Sequence, residues 1–309
     1  YNSLNVSGVT ATIADNDIAG FTVTPTSGLI TTEAGGTADF TVRLTSQPTA
    51  NVILGVSSND ASEGTAAPAT LTFTSGNWNQ TQTVTVTGVD DAIDEGDIAY
   101  VILTAAATSS DPNYAGLNPA DVAVSNADDD SAGLIVLQTG GTAVTEGGTA
   151  DTYDLLLASE PTANVTVTLN AEAGIGVSPG SLVFSPSNWN QAQTVTVTAT
   201  DDNLVEGPNS ALISHTLGST DPAYGSLPGT QITVAITDND SAVVSFASTS
   251  VSQLEAMSPM VFTVTLSNPV ASGVTLTVNS SSGTAISPSD FTAISGGTVS
   301  FAPNSTTSQ

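Results

Sequence analysis

The chain has 309 residues and a formal charge of -28, with 29 Asp and Glu set against one basic side chain, Arg43, and one histidine, His215. That balance excludes nucleic acid and an anionic membrane surface as partners, since both are held by Lys and Arg. The lack of cysteine excludes disulfides, thiolate metal sites and a cysteine nucleophile.

Thr, Val, Ser and Ala dominate, Gly and Pro punctuate at short intervals, and no stretch places apolar residues at helical spacing, so the expected fold is all-β. No apolar run of ~18 residues is present, and membrane insertion is not expected.

Taken in chain order, the elements repeat. Tyr1-Asn2-Ser3-Leu4 aligns with Tyr114-Ala115-Gly116-Leu117, so residues 1–18 are expected to be the last strand of a preceding repeat, closing on Asp15-Asn16-Asp17. A first full repeat is expected over 19–131, a second over 132–241 and a truncated third over 242–309. The closing mark returns as Asp128-Asp129-Asp130 and Asp238-Asn239-Asp240. Each mark is followed, 15 or 16 positions on, by a glutamate among small residues: Glu33, Glu146 and Glu255.

Gly76 to Asp91, GNWNQTQTVTVTGVDD, recurs as SNWNQAQTVTVTATDD from Ser187 to Asp202. Its Thr-Val alternation predicts a strand with Val facing a core and Thr facing solvent. Trp78 and Trp189 precede that strand and are read as closing the end of the core rather than stacking on a ligand. About seven such runs per repeat, separated by Gly, Pro, Asn and Asp, predict tandem antiparallel seven-stranded immunoglobulin-like β-sandwiches.

The acids gather where a sandwich would bring three chain segments to one pole. In the first repeat they are Glu33, then Asp90, Asp91, Asp94 and Glu95, then Asp128, Asp129 and Asp130. In the second they are Glu146, then Asp201, Asp202 and Glu206, then Asp238 and Asp240. With Asp15, Asp17 and Glu255 these account for more than half of the acids in the chain. Carboxylates so placed repel by about 1 kcal/mol per pair at 4 Å in water and about 4 at an effective dielectric of 20. A calcium ion with six to eight oxygen ligands relieves that repulsion, whereas magnesium demands stricter octahedral geometry. The bland alternative is a solvated acidic surface.

These marks resemble the Calx-beta family, through Asp90-Asp91-Ala92-Ile93-Asp94-Glu95-Gly96 and Asp201-Asp202-Asn203-Leu204-Val205-Glu206-Gly207 together with the closing aspartates. The resemblance implies Ca2+ held by the first-strand glutamate, the DDxxxEG-type loop and the terminal cluster. Ala92 and Asn203 stand where the family often has a third acid, and Ile98 and Asn209 where it has another, which implies fewer ions per pole. The family's SDF turn survives only as Ser289-Asp290-Phe291.

No enzyme motif is present, and His215, which has no counterpart in the first repeat, is read as a structural or surface residue. The expectation is a non-catalytic, calcium-stiffened stalk, filament or adhesin segment of a large secreted or cell-surface bacterial protein. Its expected partners are neighbouring repeats or copies of itself. A glycan- or protein-binding module, or accessory repeats of a secreted enzyme, are the alternatives.

Overall fold

The computed structural model describes residue 8 and residues 16–253 and 259–307. The chain divides at Ser131 and Ala132 into two compact units. Among the described residues the regular structure is strand throughout, apart from one four-residue helical turn.

In the first unit the strands are β1 (Phe21–Thr24), β2 (Leu29–Thr32), β3 (Thr37–Leu44), β4 (Val52–Ser58), β5 (Gly64–Ala67), β6 (Thr70–Phe73), β7 (Gln82–Gly88), β8 (Ile98–Thr104), β9 (Thr108–Ser109) and β10 (Val122–Ala127). They form two sheets, β1-β3-β7-β5 and β2-β10-β8-β4-β6, with β9 paired to β4. Sandwiched between them are Phe40, Val42, Leu54, Phe73, Val84, Val86, Ile102 and Val124, all nearly or fully buried. The alternation of β7 is as expected: Val84 and Val86 face inward while Thr83, Thr85 and Thr87 do not.

The seven expected runs become ten strands in the first unit, and one of the additions arises because the first run is split between sheets. Antiparallel β1 pairs with β3, then Pro25, which has no N–H to give a ladder, and Gly28, at φ +78°, turn the chain across. Beyond them β2 runs parallel to β10 in the other sheet, the one parallel pairing of this unit among the described strands. The crossing carries the chain to the end of β10, and that juxtaposition builds the site.

The second unit repeats the plan with β11 (Leu134–Leu137), β12 (Thr142–Thr145), β13 (Asp151–Leu157), β14 (Val165–Ala171), β15 (Ile175–Ser178), β16 (Ser181–Phe184), β17 (Gln193–Ala199), β18 (Asn209–Gly218) and β19 (Thr230–Thr237). Its sheets are β11-β13-β17-β15 and β12-β19-β18-β14-β16. Between β18 and β19 lies α1 (Pro222–Gly225), capped by Asp221, whose carboxylate accepts from the N–H groups of Ala223 and Tyr224. Proline at the first helical position suits this start, since its missing N–H would have no helical partner. The third segment follows with β20 (Val244–Phe246) paired to β21 (Val264–Leu266), and β22 (Val274–Val278) paired to β23 (Gly297–Phe301).

Trp78 and Trp189 are part-buried against their cores, and their carbonyls accept from Leu44 N–H and Leu157 N–H, each at 2.9 Å. Both tryptophans therefore close a sandwich end, as the sequence suggests. His215 is fully buried in β18, with Nε2 2.8 Å from the Tyr153 hydroxyl.

Candidate metal centre

Glu33 leaves β2 beside the last residue of β10, and its N–H donates to Ala127 O at 3.1 Å. Glu146 repeats this at the end of β12, donating to Thr237 O at 3.1 Å. The parallel pairing thus sets each first-strand glutamate next to the terminal aspartates. The loop that leaves β7 or β17 arrives from the facing sheet.

The backbone folds that loop by using some of the acids themselves. Ile93 N–H donates to Asp91 Oδ1 at 2.8 Å, and Leu204 N–H to Asp202 Oδ1 at 2.6 Å. At the next turn Gly96 N–H donates to Asp128 Oδ2 at 2.6 Å, while Glu206 and Gly207 N–H both donate to Asp238 Oδ2 at 2.7 Å. Gly96 and Gly207 sit at φ +75° and +77°, which favours glycine. Asp128 and Asp238 therefore clasp the loop to the end of the last strand, and each also receives the N–H of the residue two positions on.

The remaining acids converge. In the first repeat Glu33 belongs to two groups whose oxygens lie within 4.8 Å of one another, Glu33-Asp91-Glu95 and Glu33-Asp129-Asp130. In the second the corresponding group is Glu146-Asp202-Asp240. Asp90, Asp94, Asp201 and Glu206 lie in the same loops, and neither they nor Asp17 join a three-carboxylate group among the described residues. Asp15 and Glu255 lie outside the described residues.

The electrostatics separate clasp from cluster. Backbone N–H donors, Gly207 first, hold the Asp238 carboxyl below its usual range. Glu33, only 3% exposed, is pushed up to about 7, by burial first and then by the charges of Asp128 and Asp91, against the N–H of Asp129. Burial and then neighbouring carboxylates raise Glu95 and Asp130 as well. Glu146 and Asp240 are raised in the same way, by burial ahead of Asp202 and Asp238 respectively. Two of their oxygens, Glu146 Oε2 and Asp240 Oδ2, are buried with no hydrogen-bond partner. A buried acceptor without a donor costs about 1–3 kcal/mol, more when charged. An all-oxygen donor set of this kind suits a hard divalent cation.

One residue escapes sequence reasoning. Glu63, just before β5, is 6% exposed and lies against Glu95, whose carboxyl it helps to raise. Comparison between repeats is what picks out the other acids, and Glu63 has Gly174 as its counterpart. Only the burial of an acid immediately ahead of a strand could have marked it.

A Calx-beta domain family model matches residues 13–131, 128–240 and 237–309. A comparison with curated proteins finds no match. Among solved structures, CBD12 from CALX1.2 is 16% identical, with 66% of this chain and 82% of that one covered at a TM-score of 0.30. The calcium binding domain CBD12 of CALX1.1 is 17% identical, covering 64% and 80% at 0.30. The periplasmic chaperone SfaE is 12% identical, covering 70% and 99% at 0.28.

Proposed function

Because the chain belongs to the Calx-beta family, we propose that its repeats bind calcium at their acidic poles and that the bound ion stiffens the joint to the next repeat. The family match and the all-oxygen clusters support calcium. Magnesium suits ligands drawn from three separate chain segments less well, because it holds to octahedral geometry and keeps its waters.

The observation that carries the stiffening is the course of the second repeat's acidic loop. Val205, between Asp202 and Glu206, forms a parallel bridge with Val270 of the third segment. Its N–H donates to Pro269 O at 2.9 Å, and Ala271 N–H donates back to Val205 O at 3.0 Å. A loop that holds the ligand carboxylates therefore also holds the following segment. Relieving the repulsion among Glu146, Asp202 and Asp240 fixes the loop, and the fixed loop limits the bending of the joint. The role is structural and non-catalytic, in a secreted or cell-surface bacterial protein built as a stalk, filament or adhesin.

Thermal unfolding across a calcium titration, with magnesium as the control, tests the binding. A cation that binds only the folded state raises stability by about 2.7 kcal/mol at a hundred times its dissociation constant. A calcium-specific rise in Tm is expected, and the absence of any shift returns the acids to plain surface charge. Small-angle scattering with calcium and with chelator tests the stiffening, which fails if the two profiles coincide.

A further inference from the structure

We propose that the two full repeats carry unequal ion loads: two cations at the first pole, bridged by Glu33, and one at the second. The inference rests on the calcium reading above and goes beyond it, because it follows from three substitutions between repeats that otherwise share one plan.

The first substitution is in the closing mark, where Asn239 replaces Asp129. Asp129 and Asp130 complete the second group around Glu33. Asn239 instead turns its amide inward, donating from Nδ2 to Glu146 O at 2.7 Å and to Asp201 Oδ1 at 3.4 Å. A neutral donor thus takes the place of an anion and engages the nearest spare carboxylate.

The second is at the start of the strand after the loop, where Asn209 replaces Ile98. Asn209 Nδ2 donates to Glu206 Oε2 at 3.2 Å, and Glu206, though its charge still acts on Glu146, is not one of the three carboxylates grouped there. Ile98 offers no such donor. Glu95, the counterpart of Glu206, reaches Glu33 and Asp91 instead.

The third is Glu63, which adds a buried carboxylate beside Glu95, where Gly174 has open space. A hollow of about 360 Å³ lies there in the second repeat, lined by Gly174, Ala211, Glu146, Asp202 and Glu206 among others. The two buried oxygens without partners, on Glu146 and Asp240, belong to the single group that remains. One cation between them satisfies both.

The matched double variants Asp91→Asn with Asp130→Asn, and Asp202→Asn with Asp240→Asn, test this on the full chain. Bound calcium is counted by equilibrium dialysis and by native mass spectrometry, with circular dichroism confirming the β signal of each variant. The first-repeat variant is expected to lose two ions and the second-repeat variant one. Equal losses overturn the inference while leaving calcium binding intact, and a wild-type chain that binds no calcium overturns the functional reading itself. Should either double variant fail to fold, the single changes Asp129→Asn and Asn239→Asp carry the same test. The first is expected to cost one ion, and no loss there overturns the unequal load. The second is expected to raise the second pole's affinity about tenfold or add one ion, and no change there counts against the assigned role of Asn239.

Discussion

Beneath the first pole the core carries hydrogen-bonded polar side chains, and at the equivalent places beneath the second it is apolar. In the first repeat the Tyr100 hydroxyl and the Thr31 hydroxyl lie 3.0 Å apart, Thr31 donates to Asn126 Oδ1 at 3.0 Å, and Asn126 Nδ2 donates to Val89 O at 3.0 Å. In the second repeat Ala211, Val144 and Ile236 stand at the equivalent places, all buried. Its buried polar pair lies further along β18, where His215 meets Tyr153. One frame of alternating strands therefore accepts a polar insert at either place, provided that each insert is hydrogen-bonded.

The largest effect should come from breaking the first insert. Tyr100→Ala should destabilise the first repeat by about 3–5 kcal/mol, measured as a loss in its denaturant-unfolding transition, and leave the second repeat unchanged. Gly64 is paired with that ring, for a Cβ there would collide with Tyr100, whereas the counterpart of Gly64 is Ile175, in the same buried cluster as the small Ala211. Gly64→Ile should therefore be severe alone and milder with Tyr100→Ala, giving a coupling of about 0.5–3 kcal/mol in a double-mutant cycle. Additive losses would mean that the ring and the glycine are independent.

Where the repeats agree, the effects should agree. Asp111 accepts from Thr49 and Asn113 N–H at 2.7 and 2.9 Å, and Asp221 from Thr162 and Ala223 N–H at the same distances. In each repeat a buried tyrosine hydroxyl, of Tyr114 or Tyr224, also donates to the backbone carbonyl of Ser46 or Ser159, in the bend just past the end of β3 or β13. Asp111→Ala and Asp221→Ala should each cost about 1.5–3 kcal/mol, by loss of charge-assisted hydrogen bonds. Unequal costs would show that the turn is not the shared fastener that its geometry implies.

A smaller loss, about 1–3 kcal/mol in the second repeat, is expected from Tyr153→Phe, which leaves His215 Nε2 buried without that partner. Phe40 already stands at the matching position of the first repeat, fully buried.

The smallest effect is on pH. Burial holds the His215 pKa below its ordinary value, and the facing groups are the Tyr153 hydroxyl and, at 3.4 Å, the Thr230 hydroxyl. The unfolded chain takes up its proton near ~6.5 and the folded chain lower, so this contribution is complete above that pH and lost as pH falls below it. The raised pole carboxylates act oppositely. Without calcium, Glu33 gives stability that grows as pH falls from about 7 toward its ordinary 4.5. Glu146 and Asp240 are raised in the second repeat as well, so falling pH favours both calcium-free poles, and what sets the second repeat apart between pH 7 and 5 is the histidine's loss, at most about 1.4 kcal/mol per pH unit. Amide hydrogen exchange resolves the two repeats, and His215→Leu should remove the histidine part of the difference.

Much of the plan is legible in the sequence. Strict Thr-Val alternation reports which face of β7 and β17 is buried, and the repeated acids name the segments that meet. The crossing of the first run between sheets is not legible there, because Pro25 and Gly28 mark a turn without saying which sheet resumes. Nor does the sequence separate Asp128 and Asp238, which clasp a loop, from Asp130 and Asp240, which face the cluster. Identical side chains two positions apart differ only in which N–H groups the folded backbone presents to them.

The sequence alone determines the all-β class, the repeat and the gathering of charge, since periodicity and composition are local properties that survive without a partner. Tertiary structure alone decides which carboxylates converge, that Glu63 joins them, that Asn239 and Asn209 donate to carboxylates of the second pole, and that His215 is a core residue. Each of those depends on segments tens of residues apart meeting at one end of a sandwich, where burial and neighbouring charge act on distances that no single stretch of chain encodes.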